Sequence, residues 1–195
     1  MVSWSKLYKK DMKHRSVCIN GYVFVLLCLL SSTFPCFSWT IKGKVVDVYD
    51  GDSLTIIEDE TGWKRLIRLS AIDAPELSQS FGKESREFLY TFANEKQVTA
   101  DCYRTIRQRI EICTVTLKDK DLALNQLEAG MAWRFRLYVE GVHPKKRYPY
   151  ELAEKKAKLE QRGLWSEKNP IRPYKWREKF ERWDWYWDWY YYQDW

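Results

Sequence analysis

Apolar and polar residues alternate imperfectly over residues 41–48 and stop at Asp50-Gly51, a turn-forming pair, so this stretch is read as a first strand. Residues 54–57 and 63–69 continue the strand character on either side of Asp59-Glu60-Thr61-Gly62. That cluster forms turns readily and its glycine supplies a positive φ, which predicts a hairpin. Over residues 80–94 the period lengthens, with Phe81, Ser85, Phe88, Leu89 and Phe92 recurring at helical spacing behind a serine-rich start. The expectation is a helix with one apolar stripe packed on the sheet. Strand character returns at residues 97–103 and 110–117, joined by an arginine-rich loop. Residues 121–129 predict a short helix closed by Gly130, which suits the left-handed position past a helix end. A last helix is predicted over residues 149–162, with Pro149 at its start, Glu151/Lys155 and Glu154/Lys158 at i,i+4, and Gly163 at its end.

Five strands, with one helix after the third and two more at the end, predict an α+β fold: a five-stranded oligonucleotide-binding (OB) type β-barrel with three helices. Periodicity alone does not separate this order from other α+β folds, and no internal repeat is found. A chain of 195 residues holds one domain with a real core plus appendages. Residues 1–38 form the first appendage. Lys6, Lys9, Lys10, Lys13 and Arg15 precede an apolar run over residues 17–30, the layout of a secretory signal with Ser38 at its cleavage point. Including residues 31–37 lengthens the apolar stretch toward the ~20 residues of a membrane span, so an uncleaved anchor is the alternative. Residues 39–177 then make the domain. Residues 178–195 make a Trp/Tyr-rich tail, in which Trp183, Trp185, Trp187 and Trp189 would line one face of an extended strand.

The charge balance changes once the first segment is set aside. The whole chain carries +6, whereas residues 39–195 hold 28 basic and 26 acidic side chains. Overall charge therefore says little about a polyanionic partner. Local clusters say more: Arg104, Arg107 and Arg109, then Arg134, Arg136, Lys145, Lys146 and Arg147. Cys18, Cys28 and Cys36 fall in the first segment, leaving Cys102 and Cys113 on adjoining strands of a hairpin. An even pair in an exported chain predicts a disulfide, against the alternative of two buried thiols.

Candidate chemistry gathers at two neighbouring strand ends. Asp50-Gly51-Asp52-Ser53 ends one apolar strand, and Arg68-Leu69-Ser70-Ala71-Ile72-Asp73-Ala74-Pro75-Glu76 ends another. Singly these are a turn, a surface arginine and a helix-flanking acid. Together, carboxylate oxygens suit a hard divalent cation such as Ca²⁺, and a guanidinium fork suits phosphate oxygens. That conjunction points to metal-dependent phosphodiester chemistry. His143 is the one histidine beyond residue 38 and falls in a loop, which excludes two-histidine phosphohydrolases.

These motifs, taken with the Arg109 strand, Leu127 through Gly130-Met131-Ala132-Trp133, and Glu154 through Gly163-Leu164-Trp165, resemble the staphylococcal (thermo)nuclease family over residues 41–176. The closing Asn169-Pro170-Ile171-Arg172-Pro173-Tyr174-Lys175-Trp176-Arg177 is similar to the end of many bacterial exported members. The resemblance implies that Asp52, Asp73 and the main-chain carbonyl of Ala74 bind one Ca²⁺. It also implies that Glu76 activates or orients the attacking water and that Arg68 clamps phosphate. Arg109 matches the second phosphate arginine. Arg107-Gln108 stands where the family has Tyr-Gly, so Arg107 is the alternative. Ala123 replaces an asparagine common in the family, a change that touches structure more than chemistry.

The function expected is therefore an exported Ca²⁺-dependent endonuclease. It would be a monomer, secreted or held in the periplasm or cell envelope, hydrolysing DNA and RNA with little sequence preference and leaving 3′-phosphates. A membrane would be met only through an uncleaved N-terminal segment. Two alternatives from other classes stand beside it: a non-catalytic module that binds single strands, and an envelope-attached protein that grips through its Trp-rich tail. Three carboxylates beside an arginine favour the enzyme, since a pure binder gains nothing from negative charge next to phosphate.

Overall fold

The structure, a computed structural model, describes residues 38–136 and 144–180. The N-terminal signal or anchor, His143, the side chain of Lys146 and the tail beyond Phe180 lie outside the described residues.

Five long strands close on themselves: β1 (Trp39–Val48), β2 (Ser53–Glu58), β3 (Lys64–Leu69), β5 (Gln97–Ile106) and β6 (Ile110–Leu117). They follow the order β3-β2-β1-β5-β6, and a parallel pairing of β3 with β6 completes the barrel. All other neighbours in this ring are antiparallel. This is the predicted five-stranded α+β barrel. The interior is filled by alternate residues, among them Ile41, Val45, Val48, Leu54, Ile56, Ile67, Leu69, Val98 and Val115, each at most 3% exposed. The imperfect alternation in β1 has a cause: the register with β2 shifts between Val45 and Asp47, a bulge that puts one extra residue on β1. Gly43 lies close to β2, where a Cβ would come within 2.1 Å of the Ile57 carbonyl oxygen.

Among the described residues four helices accompany the barrel, one more than expected. They are α1 (Gly82–Ala93), α2 (Leu122–Glu128), α3 (Pro144–Leu159) and α4 (Pro173–Phe180), with a short 3-10 turn at Gly163–Ser166. Helix α1 buries Gly82, Ser85, Leu89 and Ala93. Phe88 and Phe92 stack on one another at 6.5 Å along the margin of that stripe. The serine-rich start provides no cap. Phe81 takes the capping position with φ 63°, and the Ser80 hydroxyl donates to Glu167. Helix α2 is capped as its sequence suggests, with Asp121 accepting from the N–H groups of Ala123 (3.0 Å) and Leu124 (3.1 Å). Gly130 follows at φ +70°.

Helix α3 departs from the reading of Pro149 as a helix start. It begins five residues earlier at Pro144 and carries Pro149 inside, where one i→i−4 bond is forgone. It stops at Leu159, before Gln161 and Gly163 turn the chain with positive φ. Of its two expected ion pairs, Glu154–Lys158 forms at 3.0 Å, while Glu151 reaches Arg134 at 3.4 Å. Three short strands were not foreseen. Strand β4 (Ile72–Asp73) pairs with β8 (Trp133–Arg134), and β7 (Lys120–Asp121) pairs antiparallel with the end of β6. Helix α4 runs through Phe180, so the first three residues assigned to the tail are helical.

Candidate active site

The two acidic segments meet because β2 and β3 are antiparallel neighbours, with Ser53 opposite Arg68. The Asp50 carboxylate accepts the N–H of Asp52 at 2.8 Å, closing the turn that leads into β2. This turn is gripped from outside the barrel. The Gln126 side-chain amide donates to the carbonyls of Gly51 and Ser85, and the Ser85 hydroxyl donates to the Met131 carbonyl at 2.8 Å. Gly51 is required there, since a Cβ would lie 1.8 Å from the Ser85 hydroxyl oxygen. Helices α1 and α2 thus lock the first acidic turn in place.

The second segment is turned by Ala71, whose φ of 62° is unusual for a residue with a Cβ. Its carbonyl accepts the N–H of Phe135 at 2.8 Å, and Asp73 pairs with Trp133 in the two-stranded sheet. Asp52 and Asp73 are consequently brought side by side. Arg68 Nη2 donates to Asp52 Oδ2 at 3.1 Å and to Asp73 Oδ1 at 2.9 Å. Asp52 Oδ2 also accepts the Ala74 N–H at 2.8 Å, and Asp52 Oδ1 accepts the Ser53 hydroxyl at 3.0 Å. Arg68 Nε is buried and has no hydrogen-bond partner within the protein. Such a donor is costly to bury unless a ligand oxygen completes it.

Glu76 follows Pro75 at the edge of this cluster and is met by Arg177 from α4. Arg177 Nη1 donates to Glu76 Oε1 and, at 3.3 Å, to Asp73 Oδ1; its Nη2 lies 3.4 Å from Asp73 Oδ2. Of the predicted site residues, then, Asp52, Arg68, Asp73, Ala74 and Glu76 come together. Arg109 stands elsewhere, exposed in the turn that closes β5 and β6, with Arg107 two residues away at φ 48°. The β6 residue level with Arg68 is Ile112. Arg109 is three residues before it, about 10 Å along the strand.

Arg177, like Gln126, is a residue at the site that the sequence reading missed. Its signal was Pro173 followed by Trp176-Arg177, consistent with a helix start near the chain end, but nothing local says where such a helix docks.

Charge explains how the cluster behaves. Burial, and then the neighbouring Asp52 charge, push the Asp50 carboxyl well above the usual carboxylate range. The Asp73 carboxyl is raised for the same two reasons, against the opposing pull of Arg68 and Arg177. Burial draws the Arg68 guanidinium down, yet Asp52, Asp50, Asp73 and Glu76 outweigh it and keep it firmly charged. Asp50, Asp52, Asp73 and Glu76 face two guanidiniums, so the ionised cluster carries an excess of negative charge. An all-oxygen, electron-rich pocket of this kind fits a hard divalent cation. Among the described residues no three carboxylate, thiolate or imidazole side chains form a metal cage. A cation here would therefore rest on Asp52 and Asp73, with main-chain oxygen and water completing its shell.

The disulfide between Cys102 and Cys113 is formed across paired positions of β5 and β6, and both residues are fully buried.

Sequence comparison finds relatives of this chain among known proteins. Residues 66–167 match the family described as Staphylococcal nuclease homologue. The chain is 32% identical over 137 residues to an uncharacterized endonuclease of Haemophilus influenzae, covering 70% of this chain and 72% of that protein. It is 30% identical over 159 residues to an uncharacterized endonuclease of Escherichia coli O157:H7, covering 80% and 97%. A micrococcal nuclease of Shigella flexneri is 32% identical over 145 residues, covering 70% and 80%.

Proposed function

This chain belongs to the staphylococcal nuclease family, and from that premise we propose that it is a nuclease, an exported endonuclease that hydrolyses phosphodiester bonds of DNA and RNA with little sequence preference. The observation that carries the reading is Arg68, whose Nη2 bridges Asp52 and Asp73 while its buried Nε lacks a partner. A phosphate oxygen is the acceptor that the free Nε–H suits, and charge assistance makes such a bond strong.

The transition state of phosphodiester cleavage concentrates negative charge on the equatorial oxygens, so donors placed there lower the barrier more than they stabilise the ground state. Asp52, Asp73 and the Ala74 carbonyl would hold one Ca²⁺, which when bound supplies positive charge to the phosphate. Arg68 orients the scissile phosphate. Glu76 accepts a proton from, or aligns, the attacking water on the side opposite the leaving 5′-oxygen, giving a 3′-phosphate product. From the exposed hairpin tip, Arg109, with Arg107 as its alternative, is proposed to contact the nucleic-acid backbone.

Export is supported by the basic then apolar N-terminal sequence and by the buried disulfide, which suits an oxidising compartment. The reading is tested by digesting single-stranded DNA with the purified protein in Ca²⁺, in Mg²⁺ and in chelator, and analysing product ends. Ca²⁺-dependent cleavage leaving 3′-phosphates is expected. Binding without cleavage under every metal would instead assign the chain to the non-catalytic, strand-binding class.

A further inference from the structure

Resting on the nuclease reading of the acid cluster, we propose that Arg177 is a positioning residue of the site, a second guanidinium delivered by the C-terminal helix to hold Glu76 and to act as counter-ion to Asp73. Its reach is long in sequence, 101 residues from Glu76 and 104 from Asp73, so it is placed by tertiary contacts and not by its neighbours in the chain. Three features fix it. Pro173 starts α4 and is buried. The Gln79 side-chain amide donates to the Ile171 carbonyl at 2.5 Å, and the Trp176 indole N–H donates to the Ser78 hydroxyl at 3.2 Å. Gln79 also bonds back to Glu76, accepting the Glu76 N–H at 3.3 Å and donating its own N–H to the Glu76 carbonyl at 2.8 Å. The loop 76–79 and the segment 171–177 are therefore tied together through the Gln79 and Trp176 side chains as well as at Arg177.

The arrangement divides labour between two arginines. Arg68 bridges Asp52 and Asp73 from strand β3, and Arg177 bridges Asp73 and Glu76 from helix α4. Glu76 sits on an irregular loop where backbone alone does not fix a carboxylate, and a guanidinium anchored on Asp73 supplies that fixation. The guanidiniums that lie against the Asp73 carboxylate are Arg68 at 2.9 Å and Arg177 at 3.3 Å.

Two effects of removing Arg177 run in opposite directions. Without it Glu76 loses its orientation and turnover falls. The same change removes a positive charge beside Asp73, so a cation at that carboxylate binds more tightly. A merely structural role would weaken both.

The experiment compares the full chain with Arg177→Ala, Arg177→Lys, Glu76→Gln and the Arg177→Ala/Glu76→Gln double variant. Turnover of a single-stranded oligonucleotide, calorimetric Ca²⁺ affinity and thermal midpoint are read for each. Arg177→Ala is expected to lose about 100-fold in kcat with KM changed less than about threefold, while its Ca²⁺ affinity rises several-fold. Arg177→Lys should recover part of the rate, and the double variant should be no slower than Glu76→Gln alone, because Arg177 acts through Glu76. Additive losses in the double variant, wild-type turnover in Arg177→Ala, or weaker Ca²⁺ binding together with a collapsed thermal midpoint would each overturn the proposal. If the unaltered chain neither binds Ca²⁺ nor cleaves, the nuclease reading itself fails and the proposal falls with it, an outcome distinct from failure of Arg177 alone.

Discussion

Asp52 Oδ2 accepts the Ala74 N–H at 2.8 Å, so the first acidic turn is bonded to the backbone of the second across 22 residues. The carboxylate has a structural task, receiving that N–H, and an electrostatic one, facing Arg68. Asp52→Asn separates them, because the amide oxygen still accepts the Ala74 N–H while the charge is gone. Nuclease activity is expected to fall 100-fold or more with the thermal midpoint nearly unchanged. Asp52→Ala removes the acceptor too, leaving a buried N–H unpaired at a cost of about 1–3 kcal/mol. A pair of melting curves beside a pair of rate measurements checks both; equal rates for Asp52→Asn and the native chain would remove Asp52 from the reaction.

Arg68 is expected to matter for the fold as well as for the phosphate. It alone bridges Asp52 and Asp73, and both carboxylates are buried. Arg68→Ala strips Asp52 of its guanidinium and leaves Asp73 with Arg177 alone, and breaking a buried pair in this way costs about 3–5 kcal/mol. The variant should melt markedly lower and be inactive. Arg68→Lys keeps the charge but not the fork, so it should regain most of the stability and little of the rate, which chemical denaturation and a cleavage assay would resolve.

The barrel was legible in the chain because a two-residue period fixes which face of a strand is buried, and Ile41, Val45, Leu54, Ile56 and Ile67 all obey it. Asp52, Arg68, Asp73 and Glu76 could be named together because they end adjacent strands, where topology brings sequence neighbours into one place. Arg177 and Gln126 could not. Each reaches the site from a helix whose docking depends on tertiary packing, and a glutamine that holds a turn from 75 residues away leaves no local pattern. Pro149 misled for a related reason: a proline reads as a helix start, but packing of Tyr150 and Ala153 into the core outweighs the one bond it forgoes.

The Cys102–Cys113 bridge closes a loop with a sequence separation of 11 and lies far from solvent. Loop-closure entropy puts its contribution at about 3 kcal/mol. Cys102→Ser/Cys113→Ser is expected to lower the thermal midpoint by several degrees while leaving activity intact below it, since neither residue touches the acids. Non-reducing mass mapping should find the two joined, and unchanged melting after reduction would show that packing alone holds the hairpin.

The excess of acid over base at the site predicts that divalent cations stabilise the fold. On the proposed function Ca²⁺ would bind the native cluster and not the unfolded chain, so at about 100 times its dissociation constant it would add about 2.7 kcal/mol. Thermal scans in Ca²⁺ and in chelator should differ accordingly, and the difference should vanish in Asp73→Asn. A shift that survives that substitution would place the cation elsewhere.

Tyr150 gives a pH dependence that is independent of the active site. Its hydroxyl donates to Asp121 Oδ2 at 2.5 Å, joining α3 to the residue that caps α2, and the ring is 1% exposed. Burial, then the Asp121 charge and this hydrogen bond, push the phenol far above its usual value near 10. The sign follows from which state ionises first. Below pH ~10 the phenol is neutral in both folded and unfolded chains, and its contribution is fully present. Above that the unfolded chain ionises while the folded one cannot, so stability falls as pH rises, by about 1.4 kcal/mol per pH unit. Tyr150→Phe lacks this titration. At pH 7 it should be less stable than the native chain by about 1–2 kcal/mol for the lost hydrogen bond. The gap should then narrow steadily above pH ~10, and denaturant melts of both proteins between pH 7 and 11 measure it. A gap that stays constant across that range would mean that Tyr150 is already free to ionise in the folded chain.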